Sequence, residues 1–263
     1  MEKGKMALFE FAFFSRFDVS ISFLAKHLAA PEPWDFGLHT PKHYPILKNY
    51  LEQTFRKVLS EGKILYKDDN SFCTFNTGLV TPNLEPIYAL FDKNTVSIHT
   101  PYHFKAFLKR SDEELLNIFK GELPDRANYF EHPEDLIFNP NCELIAQVDH
   151  IIGDEKNKNR LPESFRKLPN DEMIRRLDGA IEECKKRVRA NYTLAVPQFY
   201  NERIQLLLPL NLTSRTSNPD LALVVARVSD GANVYTARTC LTLRMAYNNA
   251  RLIIKPQSSW LHP

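Results

Sequence analysis

RIQLLLPLNLTSRTSNPDLALVVARVSDGANVYTARTCLTLRM, residues 203–245, decides the fold. Three apolar runs, Arg203–Leu210, Leu221–Val228 and Tyr235–Met245, are separated by turn-rich Thr213–Asp220 and Ser229–Asn233. That pattern predicts consecutive strands of an antiparallel sheet. In the last run Thr236, Arg238, Cys240, Thr242 and Arg244 share one face. Tyr235, Ala237, Thr239, Leu241, Leu243 and Met245 share the other. One face is expected to pack. The other presents two arginines and hydroxyls, either as a solvated face or as a surface for phosphate. Arg227 has the parity of Leu221, Leu223 and Val225. A cation on an apolar face needs an internal carboxylate or a ligand.

Downstream, Tyr247, Asn248, Asn249, Arg251 and Lys255 crowd into nine residues. Amides and cations this dense in an apolar run are costly to bury without partners, and an anionic ligand is one such partner. Upstream, the periodicity predicts a helix from Asn170, with Asn170 as N-cap. Its apolar stripe is Ile174, Leu177, Ile181, Cys184 and Val188, and its basic residues gather at the C-terminal end. Residues 153–169 read as a polar loop. Further strands are expected at Lys63–Tyr66, Ser71–Phe75, Ile87–Phe91, Leu136–Phe138 and Glu143–Ile151. Helices are expected at 20–30, at 45–61 with Pro45 in its first turn and Gly62 closing it, and at 112–120 with Ser111 and Glu114 as a capping box. Helices and strands do not alternate as βαβ units. The fold class is therefore α+β, with largely antiparallel sheets and flanking helices. The chain reads as a single domain, 1–263. A two-lobed arrangement hinged near 153–170 is the alternative. No internal repeat is visible.

Composition narrows the function classes. The chain has 263 residues, 43% hydrophobic and 25% charged, with a formal net charge of +2. So small a charge gives no global pull toward nucleic acid or anionic membrane, and any anion site must be local. Eighteen Phe and 17 Pro against 8 Gly point to ordered, proline-punctuated loops. The four cysteines, Cys73, Cys142, Cys184 and Cys240, form no CxxC pair and read as reduced, buried thiols. No signal peptide or membrane span is evident, so a cytoplasmic protein is expected. No P-loop, GxGxxG, GxSxG or HExxH occurs. No cofactor, metal or oligomeric state is assigned.

Two further segments carry candidate chemistry. In FNTGL, residues 75–79, Asn76 and Thr77 precede Gly78. A left-handed turn there exposes amides that can hold an anion, although a simple Asn-Thr-Gly turn is commoner. In VDHIIGDEKNKNRLP, residues 148–162, Asp149 and His150 end a strand and Asn159 and Arg160 lie in the loop. His150 is a candidate general acid or base, with a hydrogen-bonded core histidine as the alternative. His99, His103 and His132 show no ligand spacing and read as surface or loop residues. Trp34 and Trp260 can stack a base, although packing beside proline is commoner.

As a set, PEPWDF (31–36), ILKNYL (46–51), FNTGL, IYALF (87–91), DHII…NRLP (149–162), LLPL (207–210), DLALVV (220–225) and LTLRMAYNNARLI…P…WL (241–261) resemble domain of unknown function 3825 over nearly the whole chain. That family occurs as stand-alone bacterial proteins and beside OST-HTH (LOTUS) and other RNA-binding modules. The resemblance implies an RNA- or nucleotide-related role. It carries Asn76, Thr77, His150, Asn159, Arg160, Tyr247, Asn248, Asn249 and Arg251 over as motif positions. The family commonly has an acidic residue where this chain has Arg244, which puts any metal held there in doubt. Three readings follow. The first is a module binding RNA or a nucleotide: Arg227, Arg251 and Lys255 meet phosphate, and Asn76, Asn248 and Asn249 read base or ribose edges. The second is a hydrolase on a phosphorylated nucleotide or RNA end, with His150 oriented by Asp149 and charge stabilised by Arg160 and Arg251. The third is a protein-interaction scaffold in a bacterial conflict system, using the aromatic stretch Phe9–Phe17.

Overall fold

The computed structural model describes residues 7–37, 44–96, 100–215, 218–229, 231–256 and 260–262. The chain divides into two compact units, Met1–Asn128 and Tyr129–Pro263. Residues 153–170 lie inside the second. His99 and parts of the turns at 213–220 and 229–233 lie outside the described residues.

The first unit begins with α1 (Ala7–Phe11), β1 (Ala12–Phe13) and α2 (Phe17–Phe23), which runs into a π-helical turn, Leu24–Leu28. Helix α3 (Pro45–Ser60) follows; Pro45 opens it, and Gly62, at φ +65°, turns the chain out of it. Four strands come next: β2 (Leu65–Tyr66), β3 (Phe72–Val80), β4 (Pro86–Lys93) and β5 (Tyr102–Lys109). Helix α4 (Glu113–Phe119) completes the unit. The sheet order is β1-β5-β4-β3-β2, with β1 parallel to β5 and the other pairs antiparallel. One face carries aromatic packing, with Phe55–Phe75 centroids at 5.3 Å and Phe75–Phe91 at 5.9 Å. On the other face, Leu115 and Phe119 of α4 cover Tyr88 and Leu90. Buried Glu52 of α3 accepts hydrogen bonds from the Ala7 and Leu8 amides at 2.8 and 3.1 Å, satisfying open donors of α1.

The second unit has β6 (Glu143–Ala146), then α5 (Val148–Gly153), α6 (Glu155–Lys158), α7 (Glu163–Arg166) and the long α8 (Asn170–Ala190). The strands β7 (Val196–Tyr200), β8 (Arg203–Leu210), β9 (Leu221–Arg227) and β10 (Val234–Leu241) follow, and α9 (Leu243–Ala250) closes it. The sheet order is β6-β10-β9-β8-β7, with β6 parallel to β10 and the rest antiparallel. Met173, Leu177, Ile181, Cys184 and Val188 of α8 join Leu206, Leu208, Leu223 and Val225 in its core.

The two units thus share one strand order and one set of pairing directions. In each, the first strand lies parallel to the fifth and a long helix precedes the second. That helix packs on the third strand, α3 on β3 and α8 on β8. The shared topology is not visible as an internal repeat in the sequence.

The α+β class with largely antiparallel sheets holds. Several local expectations need correction. β5 and β7 were not anticipated. Leu136–Phe138 is no strand: a 3-10 turn, Pro133–Leu136, occupies its start. The strand at 143 ends at Ala146, and 148–153 is helical. The loop 153–169 contains two single helical turns. Ser111 caps nothing with its side chain; Asp112 is the N-cap of α4, and the Ser111 amide donates to Glu85 Oε1 at 2.6 Å. Pro169, not Asn170, precedes α8. The Tyr235–Met245 strand is broken twice. A bulge between Ala237 and Thr239 shifts its parity and buries Cys240, and Thr242 then caps α9 through Met245 N.

Candidate functional site

The second unit holds most of the sequence-nominated residues. A polar cluster there joins α5, α6 and β10. Asp154 Oδ1 accepts from the Asn157 amide at 3.0 Å and caps α6. Asn157 is buried, and its Nδ2 donates to His150 O at 3.2 Å and to Arg238 O at 3.4 Å. Its Oδ1 accepts from the Thr239 hydroxyl and from Arg160 Nη1 at 3.3 Å. Arg160 Nη1 also donates to Thr239 Oγ1 at 3.1 Å and to Cys240 O at 2.9 Å. The bulge in β10 sits at this point, where Arg238 and Thr239 meet the Asn157–Arg160 turn.

Arg160 is therefore half-buried and anchored through one nitrogen to three neutral acceptors. Among the described residues no carboxylate pairs with it. Arg227 is the opposite case. Its Nε lies 3.3 Å from Asp135 Oδ1, its Nη1 donates to Ala232 O at 3.2 Å, and the guanidinium stands 5.6 Å from the Tyr235 ring centroid. An internal carboxylate answers the cation on the apolar face.

His150 and Asp149 are neighbours on α5 and both are exposed. Consecutive helical residues point in different directions, and among the described residues no hydrogen bond joins them. Asp154, in the turn after His150, is held below the usual carboxylate range chiefly by its Asn157 hydrogen bond. Asn159 ends α6 and is exposed.

MAYNNAR is helical. Tyr247 is buried, Arg251 caps the helix half-buried, and Lys255 is exposed. Asn249 Nδ2 donates to Gln198 Oε1 at 3.0 Å, and Gln198 Nε2 donates to Gln205 Oε1 at 2.8 Å. This amide chain fastens α9 to β7 and β8. Among the described residues Asn248 Oδ1 is buried and has no hydrogen-bond partner.

Asn76 and Thr77 belong to the first unit. FNTGL lies inside β3 as a bulged stretch, with Gly78 at φ +74°. The Gly78 amide donates to Asn76 Oδ1 at 2.9 Å and the Leu79 amide to Thr77 Oγ1 at 3.2 Å. Thr77 Oγ1 donates to Ile87 O at 2.7 Å. These amides and hydroxyls are used within the unit. A Cβ on Gly78 would stand 2.5 Å from Tyr50 Oη, so a larger residue must displace that hydroxyl besides adopting a positive φ. Trp34 and Trp260 are both buried, and Trp260 Nε1 donates to Leu194 O at 3.0 Å.

All four cysteines are free and buried. Burial pushes the Cys240 thiol up to about 12, although Arg160 pulls the other way, and the Cys184 thiol likewise to about 12. Burial raises Cys73 further. None of these three is a thiolate nucleophile at neutral pH. Among the described residues no group of three His, Cys, Asp or Glu is placed to hold a metal, and no helix is long and apolar enough to cross a membrane.

One pair escaped the sequence reading. His103 is in β5, and its Nδ1 lies 3.1 Å from Asp92 Oδ1 in β4. Without β5 in the prediction, nothing brought these residues together.

Residues 25–260 match the family model described as Domain of unknown function (DUF3825). The chain belongs to that family. No curated protein and no solved structure matches it.

Proposed function

We propose that this is a cytoplasmic RNA- or nucleotide-binding protein whose second unit meets phosphate through Arg160. The observation that carries this is the Arg160 environment: a half-buried guanidinium held by Asn157, Thr239 and Cys240, with no carboxylate paired to it among the described residues. A planar cation fixed in place loses little freedom on meeting an oxyanion, and its remaining N–H donors suit phosphate. Asn159 and His150 flank the same turn with exposed polar side chains. The RNA-binding modules that accompany the family, and four unpaired thiols fit for a reducing compartment, are consistent with this reading.

The test is equilibrium binding of labelled single-stranded RNA at low salt. Wild type binds, and Arg160→Ala binds about tenfold more weakly, as loss of a charge-assisted contact implies. Arg227→Lys, altering a cation already paired with Asp135, leaves affinity unchanged. Undiminished binding by Arg160→Ala refutes the assignment.

The hydrolytic reading keeps one supporting observation, the exposed His150 ring beside Asp154 on the same turn system. Turnover of a nucleotide panel that disappears in His150→Ala would establish it. Binding without turnover, with and without divalent cation, would remove it.

A further inference from the structure

Phe13 of β1, His103 of β5, Asp92 of β4 and Phe72 of β3 are successive register partners across the first sheet. They form one lateral row on the face that carries α4. The Phe13 and His103 ring centroids are 6.0 Å apart at an interplanar angle of 30°. His103 Nδ1 meets Asp92 at 3.1 Å, which fixes the imidazole and turns its other ring nitrogen away from the carboxylate. Phe13 is 51% exposed, and the His103 and Asp92 side chains are 36% and 37% exposed. Lys105 and Lys67 stand 5.3 and 5.7 Å from the Phe72 centroid. Helix α4 covers the Tyr88 and Leu90 end of this face.

The surroundings select among occupants. Lys105 is paired with Glu114 and Lys67 with Asp69, so both lysines beside the row already have carboxylate partners. Phosphate attraction is weak here, and the exposed ring is the main source of affinity. A row of four side chains is far smaller than the roughly 800 Å² per partner of a stable protein interface. A flat heteroaromatic ring with donors and acceptors on its edge fits both facts. It can stack on Phe13 and offer its edge to His103 and Asp92.

We infer that this row binds a nucleobase, stacked on Phe13 with its edge hydrogen-bonded by His103 and Asp92. The inference rests on the RNA-or-nucleotide reading but uses none of its residues. An unpaired base of an RNA strand and the base of a free nucleotide present the same chemistry.

The test is anisotropy titration of the full chain with a short labelled oligoribonucleotide, with an abasic strand of equal length, and with adenosine monophosphate as competitor. Phe13→Ala weakens the base-bearing strand about tenfold, in line with loss of one stacked base, and leaves the abasic strand unchanged. Phe13→Trp retains binding and confirms that the unit tolerates substitution there. Competition by the mononucleotide assigns the row to free nucleotides, and its failure assigns the row to a strand. Equal affinity in wild type and Phe13→Ala, or an equal loss on the abasic strand, overturns the inference. So does a concentration-dependent dimer that Phe13→Ala abolishes, which would make a second copy the occupant. Loss in Arg160→Ala with no effect of Phe13→Ala sinks this inference alone. The reverse pattern sinks only the Arg160 assignment.

Discussion

The two units have one topology and different interiors. In the first, a long helix and five strands close on Phe11, Phe55, Phe75 and Phe91. In the second, the same arrangement closes on Leu206, Leu208, Leu223 and Val225. The helix after the fifth strand differs more. α4 follows Asp112, whose carboxylate accepts from the Lys109 amide at 2.7 Å, and packs Leu115 and Phe119 on the sheet. α9 is joined to β7 and β8 by the chain from Asn249 through Gln198 to Gln205. Strand order thus tolerates a wholesale change of core chemistry, while polar specialisation concentrates where the fifth strand bulges and hands over to its helix. In the second unit that junction holds Arg160 against Thr239 and Cys240.

Core truncations should separate the interiors most strongly. Phe91→Ala is expected to cost about 4 kcal/mol and Leu208→Ala about 3 kcal/mol, by lost burial and residual cavity. Hydrogen exchange would show β3–β5 losing protection in the first and β8–β10 in the second. Loss spread equally over both sheets in either variant would break the comparison. Gly78→Ala is expected to cost about 2 kcal/mol through positive φ and collision with Tyr50. Adding Tyr50→Phe should recover part of it in thermal unfolding, because the colliding atom is the Tyr50 hydroxyl. Asp135→Ala leaves the Arg227 cation, 17% exposed, without its carboxylate; about 1–2 kcal/mol is expected, below a fully buried pair because water still reaches it.

The smallest effect concerns Glu61. Burial works to raise its carboxyl, but hydrogen bonds from Lys63, Lys57 and the Asn128 amide outweigh it and hold it below the usual 4.5. A depressed folded value means stability present above 4.5 that is lost as pH falls through the folded value. Glu61→Gln should remove that contribution at neutral pH and flatten this part of the acid limb in pH-dependent melting.

Legibility followed local periodicity. α3 and α8 were readable because their apolar residues recur at helical spacing. β8 was readable because an unbroken apolar run is bounded by turns. β5 was missed because YHFKAFLK mixes cations with aromatics. β7 was missed because Pro197 interrupts it at an edge, where proline is tolerated. Leu243–Met245, the first turn of α9, reads as strand in the sequence because alternation runs up to Leu241 and the bulge after Ala237 is silent there. Site residues were nominated by type, and type does not reveal partners. Type alone does not separate Arg227 from Arg160, yet Asp135 neutralises one and, among the described residues, only neutral oxygens hold the other. Thr77 reads as a turn residue but spends its hydroxyl on β4.

On this proposal Arg160 keeps its charge available to an anion. The most direct measurement is the salt dependence of single-stranded RNA binding in wild type and Arg160→Ala. The slope of log K against log salt is expected to fall by about 0.7 in the variant, as for one lost phosphate contact on a single strand. An identical slope and affinity in the two proteins would contradict it.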